Sequence, residues 1–361
     1  MDQALQPQAR KGRGAVANMT GRFERETRIA TDDGWGLADA EAPRLDTHYL
    51  RDAAKTIIAR NDSPDVPFDR SINPYRGCEH GCIYCFARPT HAYLGLSPGL
   101  DFESRIFVKE DAPELLRAEL SKPSYRCKQV ALGANTDPYQ PIERKINLTR
   151  RILEVLKEFR HPVCIVTKSA LVQRDIDILA AMARDRLASV AVSVTTLDRE
   201  LARKLEPRAA TPERRLETIA ALHAAGIPVA VLASPMIPAL NDSEMENILE
   251  AGAARGAGAA SYILVRLPLE IAPLFEEWLG VHYPNKAKHV MSLIKRSRDG
   301  KAYQSEFGTR MRGTGPYAEM LRIRFEAAIH RLGLDKRREA WRLDSSQFKA
   351  PVKVGGQLSL F

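Results

Sequence analysis

Five short apolar runs recur along the middle of the chain: Gln129–Asn135, Pro162–Ser169, Ser189–Thr196, Pro228–Pro235 and Ser261–Pro268. Each is brief and continuous, as strands buried on both faces of a parallel sheet are. Between them the apolar positions return at helical spacing, over Pro113–Leu120, Glu143–Phe159, Ile176–Arg184, Pro212–Ala225 and Ser243–Arg255. Thr211-Pro212-Glu213 supplies a helix start with a hydroxyl cap and a first-turn proline. Gly226 ahead of Ile227-Pro228 supplies the stop. With a further strand near Arg70–Asn73, the pattern gives six βα units. Their right-handed crossovers favour an α/β fold in which a parallel sheet rolls into an open, partial (β/α)6 barrel.

Loops after the strand C-termini are where such a barrel builds its site. Asn135, Thr136 and Asp137 follow the second strand; Thr167 and Lys168 end the third, and Ser193 with Thr195 ends the fourth. The loop after the first strand reads Asn73-Pro74-Tyr75-Arg76-Gly77-Cys78-Glu79-His80-Gly81-Cys82-Ile83-Tyr84-Cys85-Phe86. Thiolates are soft ligands suited to zinc or iron–sulfur clusters, and a Cys-x3-Cys-x2-Cys spacing converges only from a tight loop, which Gly77 and Gly81 suit. A closed zinc site needs a fourth ligand, but Cys127 and Cys164 are remote and His80 is cramped between two of the cysteines. Five cysteines in a body this large do not suggest a disulfide framework. The arrangement favours a cubane cluster with one iron left open.

Charge is unevenly placed. Residues 1–60 hold 10 Lys/Arg against 9 Asp/Glu, residues 61–275 hold 27 against 27, and residues 276–361 hold 17 against 9. The positive excess lies in the C-terminal quarter, a footprint suited to a polyanion such as nucleic acid. The chain accordingly divides into a polar N-terminal arm (1–60), poorly ordered over residues 1–45, a core barrel (61–275), a basic helical extension (276–348) and a flexible tail (349–361). No run is long and apolar enough for a membrane span, and Met1–Gln6 has no apolar leader pattern, so a cytoplasmic protein with no membrane association is expected.

Cys78-x3-Cys82-x-Tyr84-Cys85 resembles the cluster loop of the radical S-adenosylmethionine (SAM) superfamily. Within it, Gly133–Tyr139, Thr167-Lys168, Ser193-Val194-Thr195, Glu206-Pro207-Arg208 and Arg215-Leu216 resemble the group containing spore photoproduct lyase and photolyase-like proteins. The resemblance implies a 4Fe–4S cluster on Cys78, Cys82 and Cys85, with SAM on the open iron. It implies reductive cleavage of SAM to a 5′-deoxyadenosyl radical, and an electron donor such as flavodoxin or ferredoxin. It places Tyr84 beside the adenine, Asn135, Thr136 and Asp137 near the SAM amino group, and Lys168, Ser193 and Thr195 near its carboxylate or ribose. Glu206 and Arg215 fit either this pattern or a helix-anchoring ion pair. Spore photoproduct lyases carry a cysteine hydrogen donor beside the Thr/Ser-Asp element; here Asn135 stands there, which implies a different lesion or substrate.

The last residues, Gln357-Leu358-Ser359-Leu360-Phe361, resemble the pentapeptide with which bacterial repair proteins bind the sliding clamp. Gln357 would bond at a pocket rim while Leu358, Leu360 and Phe361 bring the apolar contacts. Gly308–Gly315 is a basic glycine-rich stretch that reads either as a phosphate cradle or as a tight solvated loop. Taken together, these features predict a radical SAM enzyme acting on damaged or modified DNA. Modification of RNA or protein, and a non-catalytic cluster protein that binds nucleic acid or senses redox state, are the alternatives.

Overall fold

In the computed structural model, residues 8–25, 27, 44–335 and 342–351 are described. Ten strands occur among them: β1 (His48–Arg51), β2 (Ile58–Arg60), β3 (Arg70–Ile72), β4 (Tyr75–Arg76), β5 (Arg105–Val108), β6 (Val130–Leu132), β7 (Val163–Thr167), β8 (Ala188–Ser193), β9 (Val229–Met236) and β10 (Ala259–Leu264). The helices are α1 (Leu100–Ser104), α2 (Ala112–Leu120), α3 (Glu143–Ile146), α4 (Leu148–Glu158), α5 (Ile176–Arg184), α6 (Arg199–Leu205), α7 (Pro212–Ala224), α8 (Met245–Ala254), α9 (Ile271–His282), α10 (Pro284–Arg296) and α11 (Gly315–Arg331).

The main sheet runs β10-β9-β8-β7-β6-β3-β2. From β3 to β10 all pairings are parallel and follow chain order; β2 adds an antiparallel edge to β3. These are the six βα units read from the five apolar runs and the strand near Arg70–Asn73, and the sheet is open, with β10 and β2 at its two edges. Ile72, Leu132, Ile165, Val190 and Val231 are fully buried in the core beneath the helices. Thr211 caps α7 by accepting from Arg214 N, and Gly226 takes φ +76° after it, as the local sequence dictates.

Four features depart from the pattern. The helix expected over Glu143–Phe159 is broken at Asn147, whose φ of 51° separates α3 from α4. A second sheet, β1-β5-β4, stands beside the cysteine loop. The N-terminal segment, read as a poorly ordered arm, is instead packed where it is described: Arg13, Ala15 and Val16 are buried. The boundary drawn at residue 275 falls inside α9. Helices α9 and α10 build a second core that contains Trp278, Leu279 and Ile294 together with Ala15, Val16, Ile83 and Tyr84, so the extension packs on the cysteine loop itself.

Residues 344–349 close the other end of the barrel. Asp344 N bonds Arg186 O and Lys349 N bonds Phe159 O, while Phe348 packs against Tyr125, Phe159 and His161. These partners precede β6, β7 and β8, at the N-terminal edge of the sheet.

Candidate functional site

The cysteine loop leaves the C-terminal end of β3 and is wound tightly. Gly81 N, Cys85 N and Arg88 N donate to Cys78 O, Cys82 O and Cys85 O respectively, each at 3.2 Å. Gly77 and Gly81 have φ of +81° and +68°, and any side chain at either would strike Phe102 O or the Glu103 carboxylate. Cys78 and Cys82 are buried, Cys85 is half-buried, and all three are free thiols.

Arg88 holds this winding from beneath. Its fully buried guanidinium donates to Cys82 O (2.8 Å), Gly81 O (3.1 Å), Pro98 O (3.0 Å), Gly99 O (2.9 Å) and the Glu103 carboxylate. Glu103 also accepts from Gly14 N (2.9 Å) and Ala15 N (2.8 Å), and Arg13 donates to Glu103 O (2.6 Å). The Arg88–Glu103 pair is thereby hydrogen-bonded throughout, the condition under which burial is tolerated, and Arg13 is satisfied by two carbonyls and Thr47. Glu79, between the first two cysteines, is held by Thr47, Tyr49 and Arg208. Gln140 clasps the loop by accepting from Glu79 N and donating to Gly77 O.

Two carboxylates organise the strand ends facing the loop. Asp137 accepts from Thr167 Oγ1 (2.8 Å), Tyr139 N (2.9 Å) and Lys168 N (2.7 Å), with His80 Nδ1 at 3.4 Å. Burial pushes its carboxyl up, but His80 and the backbone amides outweigh that and leave it below the usual range. Glu206 accepts from Tyr84, from Thr195 Oγ1 (2.6 Å) and from Arg215, and lies 3.8 Å from Lys168 Nζ. Lys168 Nζ donates to Ser193 Oγ at 2.8 Å, and Ser193 Oγ and Thr195 Oγ1 both reach Ser234 O.

The structure therefore brings Tyr84, Lys168, Ser193 and Thr195 together around Glu206. Thr136 and Asp137 stand on the His80 side, where their polar atoms are already engaged: Thr136 Oγ1 donates to Tyr75 O at 2.9 Å. Asn135 is exposed, its backbone held by Asn73 and its side chain without a hydrogen bond among the described residues. Gln357, Leu358, Leu360 and Phe361 lie outside the described residues. Cys127 and Cys164 lie ahead of β6 and within β7, apart from the loop. The Gly308–Gly315 stretch is filled by its own protein: Asp65 accepts from Gly308 N (2.6 Å) and pairs with Arg310 (2.5 Å), so a carboxylate sits where a phosphate was envisaged.

Sequence reading missed Arg88, Glu103 and Arg13 beneath the loop, and Asn241, which donates to Thr195 O (2.6 Å) and Pro235 O (2.9 Å). It also missed Ser234, whose hydroxyl is buried without a partner among the described residues. The Gly12-Arg13-Gly14 triplet was the available signal for the first group: glycines flanking an arginine suit close approach to another backbone.

The donor set fits a cluster. Burial raises all three thiols, helped by Asp137 at Cys78 and Glu206 at Cys82, so thiolates form here only against a metal's charge. Among the described residues no three His, Cys, Asp or Glu side chains converge on a single-ion position. A cubane does not require that, because each thiolate takes a different iron.

An open parallel α/β barrel with three thiols on the loop after its first strand defines the class. The chain belongs to the radical SAM superfamily, whose family model matches residues 72–252, half of its length. An uncharacterised protein of Mycobacterium tuberculosis is 40% identical over 233 residues, covering 64% of this chain and 68% of the relative. One from Methanocaldococcus jannaschii is 31% identical over 173 residues, covering 48% and 62%. Among solved structures, spore photoproduct lyase complexed with dinucleoside spore photoproduct is similar, with a TM-score of 0.57 at 16% identity over 79% of each chain. A variant of that enzyme with AdoMet and the same dinucleoside bound gives 0.56 at 15% identity over 79% and 78%. At that identity the likeness is one of fold. The protein is a radical SAM enzyme, and no helix of its described residues is long and apolar enough to cross a membrane.

Proposed function

We propose that Cys78, Cys82 and Cys85 hold a 4Fe–4S cluster with one iron open to SAM, and that the enzyme acts on damaged or modified DNA. The observation that carries this reading is the placement of three free thiols, two buried and one half-buried, beside Lys168 and Ser193 at the strand C-termini. When bound, the cluster and SAM supply one-electron cleavage of the sulfonium to a 5′-deoxyadenosyl radical. Lys168, poised on Ser193 and adjacent to Cys82, takes the SAM carboxylate or ribose; Thr195 and Tyr84 hold Glu206 and so fix Lys168. Backbone groups at Tyr84 border the adenine. Asp137 and Thr136 keep the surrounding turns in register, which leaves the free amide of Asn135 to meet the SAM amino group or the substrate. The second core seals the inner side of the loop and limits water near a radical.

DNA is supported by the positive C-terminal quarter and by the fold shared with an enzyme whose structure holds a dinucleoside photoproduct. We take residues 61–275 as the catalytic core, 276–348 as a basic helical extension and 349–361 as a tail for a sliding clamp. The location is cytoplasmic and the electron donor is of flavodoxin or ferredoxin type. The test is anaerobic reconstitution with iron and sulfide, followed by dithionite-dependent formation of 5′-deoxyadenosine. The wild type should produce it and Cys82→Ala should not; equal yields would end the assignment. Deuterium-labelled damaged DNA then tests the substrate, by transfer of label into the nucleoside.

A further inference from the structure

Four exposed aromatic rings, Phe23, Phe86, Tyr93 and Phe307, each have an arginine over them. Phe86, directly after Cys85 and 42% exposed, has the Arg266 guanidinium 4.7 Å from its ring centre. Phe307, 54% exposed, has Arg310 at 4.7 Å. Phe23 and Tyr93 pack at 5.1 Å, with Arg22 at 4.8 and 5.1 Å from the two rings.

These arginines differ in one respect. Arg22 is bonded to both oxygens of Glu270, and Arg310 is bonded to Asp65, so their charges are spent within the protein. Arg266 is half-buried and makes no hydrogen bond to an acid or a carbonyl among the described residues. Its neighbour Arg298 is fully buried, has no acidic partner there, and gives its terminal nitrogens to Leu264 O, Val265 O and Arg310 O. Two guanidiniums at the end of β10 with no acid in hydrogen-bonding contact among the described residues favour the arrival of an anion. Burial lowers both; Arg298 also lies in the field of Arg266, and Arg266 in that of Arg310, with Tyr303 and Asp65 opposing.

We propose that Phe86 and Arg266 form a seat for one unpaired nucleotide beside the cysteine loop, the phenyl ring taking the base and the guanidinium a phosphate oxygen. An acidic peptide would use the charge and leave the rings idle, whereas aromatic–arginine surfaces are how unpaired strands are gripped without regard to sequence. The inference rests on the reading of the substrate as DNA.

The experiment uses reconstituted full-length protein and a fluorescein-labelled single-stranded 12-nucleotide DNA, with anisotropy measured at two or more salt concentrations. Phe86→Ala and Phe86→Leu should each weaken binding about fivefold to a hundredfold, the worth of one stacked base. Arg266→Gln should lower the log–log salt slope by about one. Iron content, and SAM affinity by equilibrium dialysis, should stay at wild-type values. Wild-type strand affinity in all three variants would overturn the seat and leave the DNA reading standing. A wild type that binds no strand would overturn both. Loss of SAM affinity in Arg266→Gln would assign that residue to the cofactor and overturn the seat.

Discussion

A methyl group at position 14 is the sharpest probe of how the cysteine loop is held. A Cβ built on Gly14 would lie 1.8 Å from Gly81 O and 3.0 Å from its carbonyl carbon, both backbone atoms between Cys78 and Cys82. Carbon and oxygen settle at about 3.5 Å, so Gly14→Ala must part the two segments by more than 1 Å. Parting them breaks the bonds from Gly14 N and Ala15 N to Glu103, at 2.9 and 2.8 Å. Bonds to a buried charge are worth about 1.5–3 kcal/mol each, so roughly 3–6 kcal/mol is lost and Glu103 is left with Arg88 as its main partner. That is a large share of the ordinary 5–15 kcal/mol, falling on the loop that carries the thiols. Gly12→Ala is the matched control: φ is +73° but nothing lies within 4 Å, so only about 1 kcal/mol of backbone strain is expected. The assay is iron per chain and 400-nm absorbance after anaerobic reconstitution, together with the thermal midpoint. Gly14→Ala should lose most of its iron and several degrees, and Gly12→Ala little of either. Wild-type iron and midpoint in Gly14→Ala would show that the N-terminal segment does not support the loop.

Three further outcomes follow from buried polar groups and from the C-terminal segment. Glu206→Gln leaves Arg215 buried without its counter-charge and should cost about 3–5 kcal/mol, read as a lowered urea midpoint; a change below 1 kcal/mol would refute the pairing. His161 is held neutral, with its pKa pushed down to about 4 by burial, its Nε2 on Tyr125 and its Nδ1 on Pro162 O. The unfolded chain therefore binds a proton that the folded one refuses between about pH 6.5 and 4. Stability from this group is full above that window and falls by about 1.4 kcal/mol per pH unit as acidity rises through it, and His161→Gln should flatten the urea-midpoint profile there. Phe348→Ala empties the ring cluster with Tyr125, Phe159 and His161, and should speed proteolysis near residue 345 without changing iron content; an unchanged cleavage rate would refute the anchor.

The parallel strands were legible because most carry their own signal, a short apolar run bounded by turn residues, as at Gly226 before β9, whereas the largely exposed edge strand β2 carries none and was not read. Helix α7 was legible from Thr211 and Pro212 at its start, its apolar spacing and Gly226 at its stop. The break at Asn147 was not, since a residue in left-handed conformation interrupts no hydrophobic period. Nor was the small β1-β5-β4 sheet, because β1 is exposed along its whole length and shows no core-facing face. At the site, the thiols and strand-end residues could be found one by one, since their type and position are local properties. What joins them is not local: Tyr84 meets Glu206 across 122 residues, and Gly14 meets Glu103 across 89. The Gly308–Gly315 stretch shows the same limit, because Asp65 fills it from 243 residues away.

Phe348 also sets where the rest of the chain departs. Pinned among Tyr125, Phe159 and His161, it releases Pro351 from the heel of the barrel, while the thiols sit at the mouth. Whatever meets the chain just beyond Pro351 therefore meets this enzyme at its heel, at the opposite end of the sheet from the thiols.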